Sequence, residues 1–265
     1  MSHQAKALLI LGIGVVSLVI TFTFDPIPQP PEYHHFADHR MLLGIPHMGD
    51  VLSNFPFIFT GLWGLLLLWR YSGDRKRIES TYEVWPLLVG FLGIALVGPG
   101  SAYYHWNPIN ETLVWDRLPI AVGFMGIFCM MLGERIHVRI GQYLLAPLSL
   151  LAAFSVGWWY FSELSGQGDL RLYGWVIFFP MVGIPLLLLM FPAKYSNGRY
   201  IFDMLGFYVV AKFFEYVDKE SYELTGGIIS GHTLKHLFAA VATWSLIRYI
   251  QNRRVIPDVE KVKTS

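Results

Sequence analysis

Eight stretches of the chain are each about 20 mostly apolar residues long, the length at which an α-helix crosses the hydrocarbon core of a bilayer. They lie at 6–24, 48–69, 84–105, 112–133, 142–162, 171–192, 199–217 and 224–247. A chain inside lipid must satisfy its own backbone hydrogen bonds, so such stretches are read as helices. The predicted fold is therefore all-α, a multi-pass transmembrane helix bundle. The charge content agrees: 15% of the 265 residues are charged, against about 25% in soluble domains. A net charge of +1, with the basic residues dispersed, gives no nucleic-acid patch. One cysteine, Cys129, excludes an internal disulfide and leaves the redox compartment unread.

The first stretch begins with Lys6 ahead of an apolar run, as a signal peptide does. It leads into TFTFDPIPQPPEY, with no small-residue cleavage site, so the stretch is read as an uncleaved anchor. The connections sort by charge. Lys6, Arg70, Arg75, Lys76, Arg77, Arg135, Arg139, Lys194, Arg199, Arg248, Arg253, Arg254, Lys261 and Lys263 fall on one side. Only Arg40, Arg171 and Lys219 fall on the other. The positive-inside rule then predicts both termini in the cytoplasm, which needs an even number of spans. Arg117, Lys212 and Lys235 remain, in or at the edge of spans. Lys212 and Glu215 are three apart on one helix and are read as a structural ion pair.

Ionisable groups at membrane depth are costly, so the polar residues inside these spans need a reason. The stretch GPGSAYYHWNPINETLVWDRLP, from Gly98 to Pro119, carries most of them. Ser101 and His105 lie four apart at the end of one helix and share a face. Asp116 lies eleven residues beyond His105, at the start of the next helix. Far along the chain, GHTLKHLFAA supplies His232 and His236, again four apart. The charge-based topology puts His105, Asp116, His232 and His236 in the same outer half of the membrane.

Three neutral imidazoles leave a tetrahedral zinc one open position, the arrangement of catalytic rather than structural zinc. A water bound there becomes acidic near neutral pH. Asp116 is suited to take its proton and pass it to a leaving group. Ser101 is suited to hydrogen-bond the water or a developing oxyanion. Other readings stay open on the residues alone. A serine nucleophile activated by histidine is one, although it leaves the paired histidines unexplained. A satisfied polar histidine, a haem ligand and a proton relay are others.

At these residues the chain resembles the alkaline ceramidases, a branch of the CREST superfamily of membrane hydrolases that also holds the adiponectin-type receptors. The resemblance rests on Ser101 and His105, on Asp116 in Asp116-Arg117-Leu118-Pro119, and on His232 with His236. Ser53-Asn54 resembles a serine–asparagine pair on the family's first core helix. The histidine-to-aspartate spacing fits the ceramidase branch better than the receptor branch. The resemblance covers about residues 47 to 250 and implies three units. Residues 1–46 are then an N-terminal anchor helix and extracytoplasmic loop, 47–250 a seven-helix hydrolase core, and 251–265 a cytoplasmic tail. It also implies a Zn²⁺-dependent amidase for ceramide-like lipids, with His105, His232 and His236 as metal ligands and Asp116 and Ser101 as catalytic residues. The substrate is expected to come sideways from the bilayer, and the active site to face the extracytoplasmic side. The family's calcium site lies before the first core helix. Here that stretch is HHFADHRMLLGIPHMGD, where Asp38 and Asp50 are carboxylates but the family's pattern is absent, so no calcium requirement carries over. An ester hydrolase of the same superfamily and a lipid-sensing receptor are the alternatives.

Overall fold

The computed structural model describes residues 1–257. Lys261, Lys263 and most of the predicted 251–265 tail lie outside the described residues. The chain is an all-α multi-pass membrane bundle. Its helices are α1 (His3–Thr21), α2 (Met48–Leu52), α3 (Phe55–Tyr71), α4 (Val84–Trp106), α5 (Asn110–Arg135), α6 (Val138–Leu164), α7 (Arg171–Met190), α8 (Arg199–Tyr216), α9 (Asp218–Leu224) and α10 (Gly231–Asn252). Among the described residues, six helical stretches are long and apolar enough to cross a membrane: His3–Thr21, Met48–Tyr71, Thr81–Trp106, Asn110–Arg135, Val138–Leu164 and Arg171–Met190. The seventh and eighth predicted spans are helical too, as α8 and α10. They are less apolar because they hold Asp203, Lys212 and Glu215, and His232, Lys235 and His236.

Three boundaries differ from expectation. The stretch 48–69 is broken at Ser53-Asn54, which separate α2 from α3. Asp116 does not start its helix. Thr112 Oγ1 bonds the Asn107 carbonyl at 2.6 Å, and α5 begins at Asn110, nearly two turns before Asp116. The last span does not begin at 224. Gly226 and Gly227 adopt left-handed backbone (φ 64° and 79°) and turn the chain there. Ser230 then caps α10 by accepting from the Thr233 amide.

Lipid tails are as apolar as leucine, so helices in a bilayer associate through close packing rather than water exclusion. The α4–α5 pair depends on this. A Cβ on Gly93 would sit 2.5 Å from Gly123 Cα, and one on Gly100 would sit 2.2 Å from the Trp115 carbonyl oxygen. Pro119, four residues on, has no N–H to give that carbonyl. The backbone contact at Gly100 brings Ser101 alongside Asp116. The added helix α1 lies antiparallel on α7. Lys6 Nζ bonds the Met190 carbonyl at 2.8 Å, Trp175 Nε1 bonds Ser17 Oγ at 3.0 Å, and Arg171 bonds the Phe24 carbonyl at the far end.

Candidate metal centre

His105 comes from the last turn of α4, and His232 and His236 from the first two turns of α10. Their ring centroids are 4.7, 4.8 and 4.9 Å apart. Each offers one nitrogen, and these nitrogens lie within 4.8 Å of one another. All three rings are at most 5% exposed.

The surroundings orient the rings. Ser53 Oγ, at the α2–α3 break, lies 3.1 Å from the Asp50 carbonyl and 2.8 Å from His236 Nδ1. With the hydroxyl donating to the carbonyl, Nδ1 of His236 is the donor to Ser53 and its Nε2 is free to ligate. His105 Nδ1 is buried with no hydrogen-bond partner among the described residues. Buried polar atoms are rarely left unpaired, and this one is open to a ligand. Three imidazoles suit zinc and several other transition metals. The group can therefore hold a metal ion.

Beside the triad, a cavity of about 160 Å³ runs into the bundle. Ser101, Asp116, Lys235 and His236 line it, together with mostly apolar side chains of α4, α5, α7, α8 and α10. Of the five residues named from sequence, Ser101, Asp116 and His236 thus stand in one wall, and His105 and His232 pack against His236. Asp116 makes no ion pair with its neighbour Arg117 among the described residues. Arg117 Nη2 bonds Gln29, and its guanidinium lies 4.1 Å from the Trp159 ring and 4.8 Å from the Tyr173 ring. Lys212 and Glu215 do pair, and Glu215 also holds Lys235 at 2.9 Å.

The loop after α1 closes over the triad, a feature the sequence did not announce. His34 bonds Tyr104 at 2.9 Å and Asn110 at 3.0 Å. The Phe36 ring then lies 4.5 Å from both His105 and His232. Asp218 clamps loop to helix: its carboxylate takes the Ala37 amide at 2.9 Å and the His232 amide at 2.7 Å. Asp38 is fully buried and gripped by Arg40 Nε at 2.7 Å, Arg40 Nη2 at 2.9 Å and the Gly49 amide at 2.9 Å. Burial pushes the Asp38 carboxyl up, but the bonds from Arg40 and Gly49 outweigh it and hold it below the usual carboxylate range. Asp50 Oδ1 accepts from Ser230 and Thr233 at 2.8 and 2.7 Å. Asp38 is thus bonded through both oxygens by the protein's own donors, whereas Asp50 Oδ2 is buried without a hydrogen-bond partner among the described residues. Phe36 and Asp218 carry no local motif. Ser53 was marked by its asparagine neighbour, though not its bond to His236.

Comparison with protein-family models, with curated proteins and with solved structures finds no match. The chemistry of this site is therefore read from its geometry.

Proposed function

We propose that the chain is a zinc-dependent, membrane-embedded amidase that hydrolyses ceramide-like lipids to a long-chain base and a free fatty acid. The observation that carries this reading is the convergence of three buried histidines with Asp116 and Ser101 at the polar end of an otherwise apolar cavity. His105, His232 and His236 would hold the metal. When bound, zinc supplies Lewis acidity toward a carbonyl and acidifies a water. Asp116 takes the proton of the attacking water and returns it to the departing amine. Ser101 donates a hydrogen bond to the developing oxyanion. The apolar wall holds the acyl chain, and Phe36 keeps bulk water from the rings. A lipid reaching this cavity sideways never has to leave the bilayer.

The test is metal content together with turnover. Purified protein should carry about one zinc per chain, with no Soret absorption. His232→Ala and His236→Ala should each lose most of it, because two imidazoles leave the tetrahedral set incomplete. A panel of ceramides and lipid esters in detergent should show release of fatty acid from the amides. Full zinc in both variants by elemental analysis would sink the ligand assignment.

The charge bias of fourteen basic residues to three supports eight spans, cytoplasmic termini and an extracytoplasmic site. A cysteine placed at Ser72, with Cys129 replaced, should resist an impermeant thiol reagent in intact cells. Labelling from outside would reverse the orientation.

A further inference from the structure

The cavity beside the triad has a floor. Away from its polar end, the lining stops at Ile127 on α5, Ile184 on α7, Met204 on α8 and Leu246 on α10. One turn further from the triad on the same helices stand Met131, Leu187, Ile201 and Ile250. All four are fully buried, and none lines the cavity. The direction is fixed by the far helix ends, which meet one another. Arg135, ending α5, bonds the Phe191 carbonyl just past α7, and Asn197, just before α8, bonds the Asn252 carbonyl at the end of α10. Beyond the apolar layer, Arg253 faces Glu134 at 3.5 Å. A chain that enters beside Ser101, Asp116 and His236 therefore meets a packed layer and then a buried ion pair.

The floor lies at a definite depth. His236 and Leu246 are ten residues apart on α10, and Asp116 and Ile127 are eleven apart on α5. At a rise of about 1.5 Å per residue, both paths are roughly 15 Å long. An extended alkyl chain advances about 1.25 Å per carbon, from C–C bonds of about 1.5 Å at about 111°, so roughly 12 carbons reach the floor. The chain that fits is the acyl chain, which is apolar from its first carbon. The base of a ceramide carries hydroxyls beside the amide, and these would be stranded against the mostly apolar wall.

We infer that this cavity measures the acyl chain, with Leu246 as its floor, and that the site selects lipids acylated with a chain about as long as that of lauric acid. The inference deepens the amidase reading and rests on it. Ala242 stands in the wall six residues from His236, about 9 Å along α10. A larger side chain there would raise the floor, whereas a smaller one at Leu246 would lower it.

The test uses the full-length, metal-loaded protein in detergent. Octanoic, lauric, palmitic and stearic acids compete with tritiated lauric acid for binding. The same micelles are used throughout, so partition into detergent cancels between variants. In wild type, lauric acid should compete best, and stearic acid roughly tenfold less well, because extra methylenes must be forced into a packed layer. Leu246→Ala should move the best competitor from lauric to palmitic acid, since the cavity gains about the three carbons removed. Ala242→Leu should move it to octanoic acid. The opposite shifts of the two variants separate a ruler from general loosening of the fold. If Leu246→Ala does not fold, the wild-type series and Ala242→Leu still decide. Stearic acid bound as tightly as lauric acid in wild type, one best length in every variant, or no binding of lauric acid at all would overturn the inference. Turnover of ceramides with the same acyl chains is read separately. If none is hydrolysed, the amidase reading falls while the binding series still decides the ruler.

Discussion

Arg253→Met should destabilise the protein by about 3–5 kcal/mol, the range for removing one partner of a buried ion pair. Arg253 is 1% exposed at the end of α10. Its Nη2 lies 3.4 Å from Glu83 Oε2 and its Nη1 lies 3.5 Å from Glu134 Oε2. The same guanidinium lies 4.2 Å from the Tyr195 ring. Tyr195 donates to Glu83 at 2.7 Å, Lys194 reaches both Glu83 and Glu79 at 2.7 Å, and Tyr249 donates to Glu134. The contacts of Arg253 itself are long, so they are individually weak. The cost comes mainly from Glu134, since Glu83 keeps Lys194 and Tyr195. Glu134 would keep only Arg135, at 3.7 Å, and Tyr249. Thermal unfolding in detergent should show a lower Tm, and the double variant Arg253→Met/Glu134→Gln should recover part of the loss because it strands one charge fewer. A Tm equal to that of wild type would mean that the network adds nothing to stability.

That network ties together the start of α4, the end of α5, the α7–α8 loop and the end of α10. The triad lies at the opposite ends of α4 and α10. Rigid cross-linking is thus concentrated away from the candidate site. There, the covering loop is held by a few side chains such as His34, Asp38 and Asp218.

The helices were legible because apolar length is a direct physical requirement of a bilayer, and it is met residue by residue along the chain. The triad was legible because histidines at i and i+4 share a helix face, and because burying them without a purpose is costly. The rest depended on contacts between distant segments. Arg135, Lys194 and Arg253 read as loop charges, yet all three belong to a buried or half-buried ion network. Nothing in PEYHHFADHR says that Phe36 will rest on two histidines, one of them nearly two hundred residues away. The helix starts at Asn110 and Gly231 were missed for a local reason. Thr112 closes back on Asn107, and a pair of left-handed glycines ends α9, both finer signals than the apolar pattern.

The shift in the start of α5 bears directly on Asp116, and Asp116→Asn separates a hydrolase from a mere metal protein. A carboxylate in the first turn of a helix is favoured by the helix dipole, and that influence fades within the turn. Asp116 lies beyond it, with Asn110 at the start of the helix. An ion pair with Arg117 would be a second structural role, but Arg117 is turned toward Gln29, Trp159 and Tyr173. Both structural roles therefore lapse, while the carboxylate remains in the cavity wall beside Ser101. Asparagine keeps the size, but it cannot accept a proton at neutral pH. Asp116→Asn should fold, keep its zinc, and lose amide hydrolysis by roughly 10²- to 10⁴-fold, the usual contribution of a general base. Asp116→Glu should retain somewhat more activity, because the base survives in a displaced position. The decisive measurement is turnover of a ceramide by the zinc-loaded Asn variant. Near wild-type rates would mean that water is activated without Asp116, and the proton would then have to move through another group of the cavity wall.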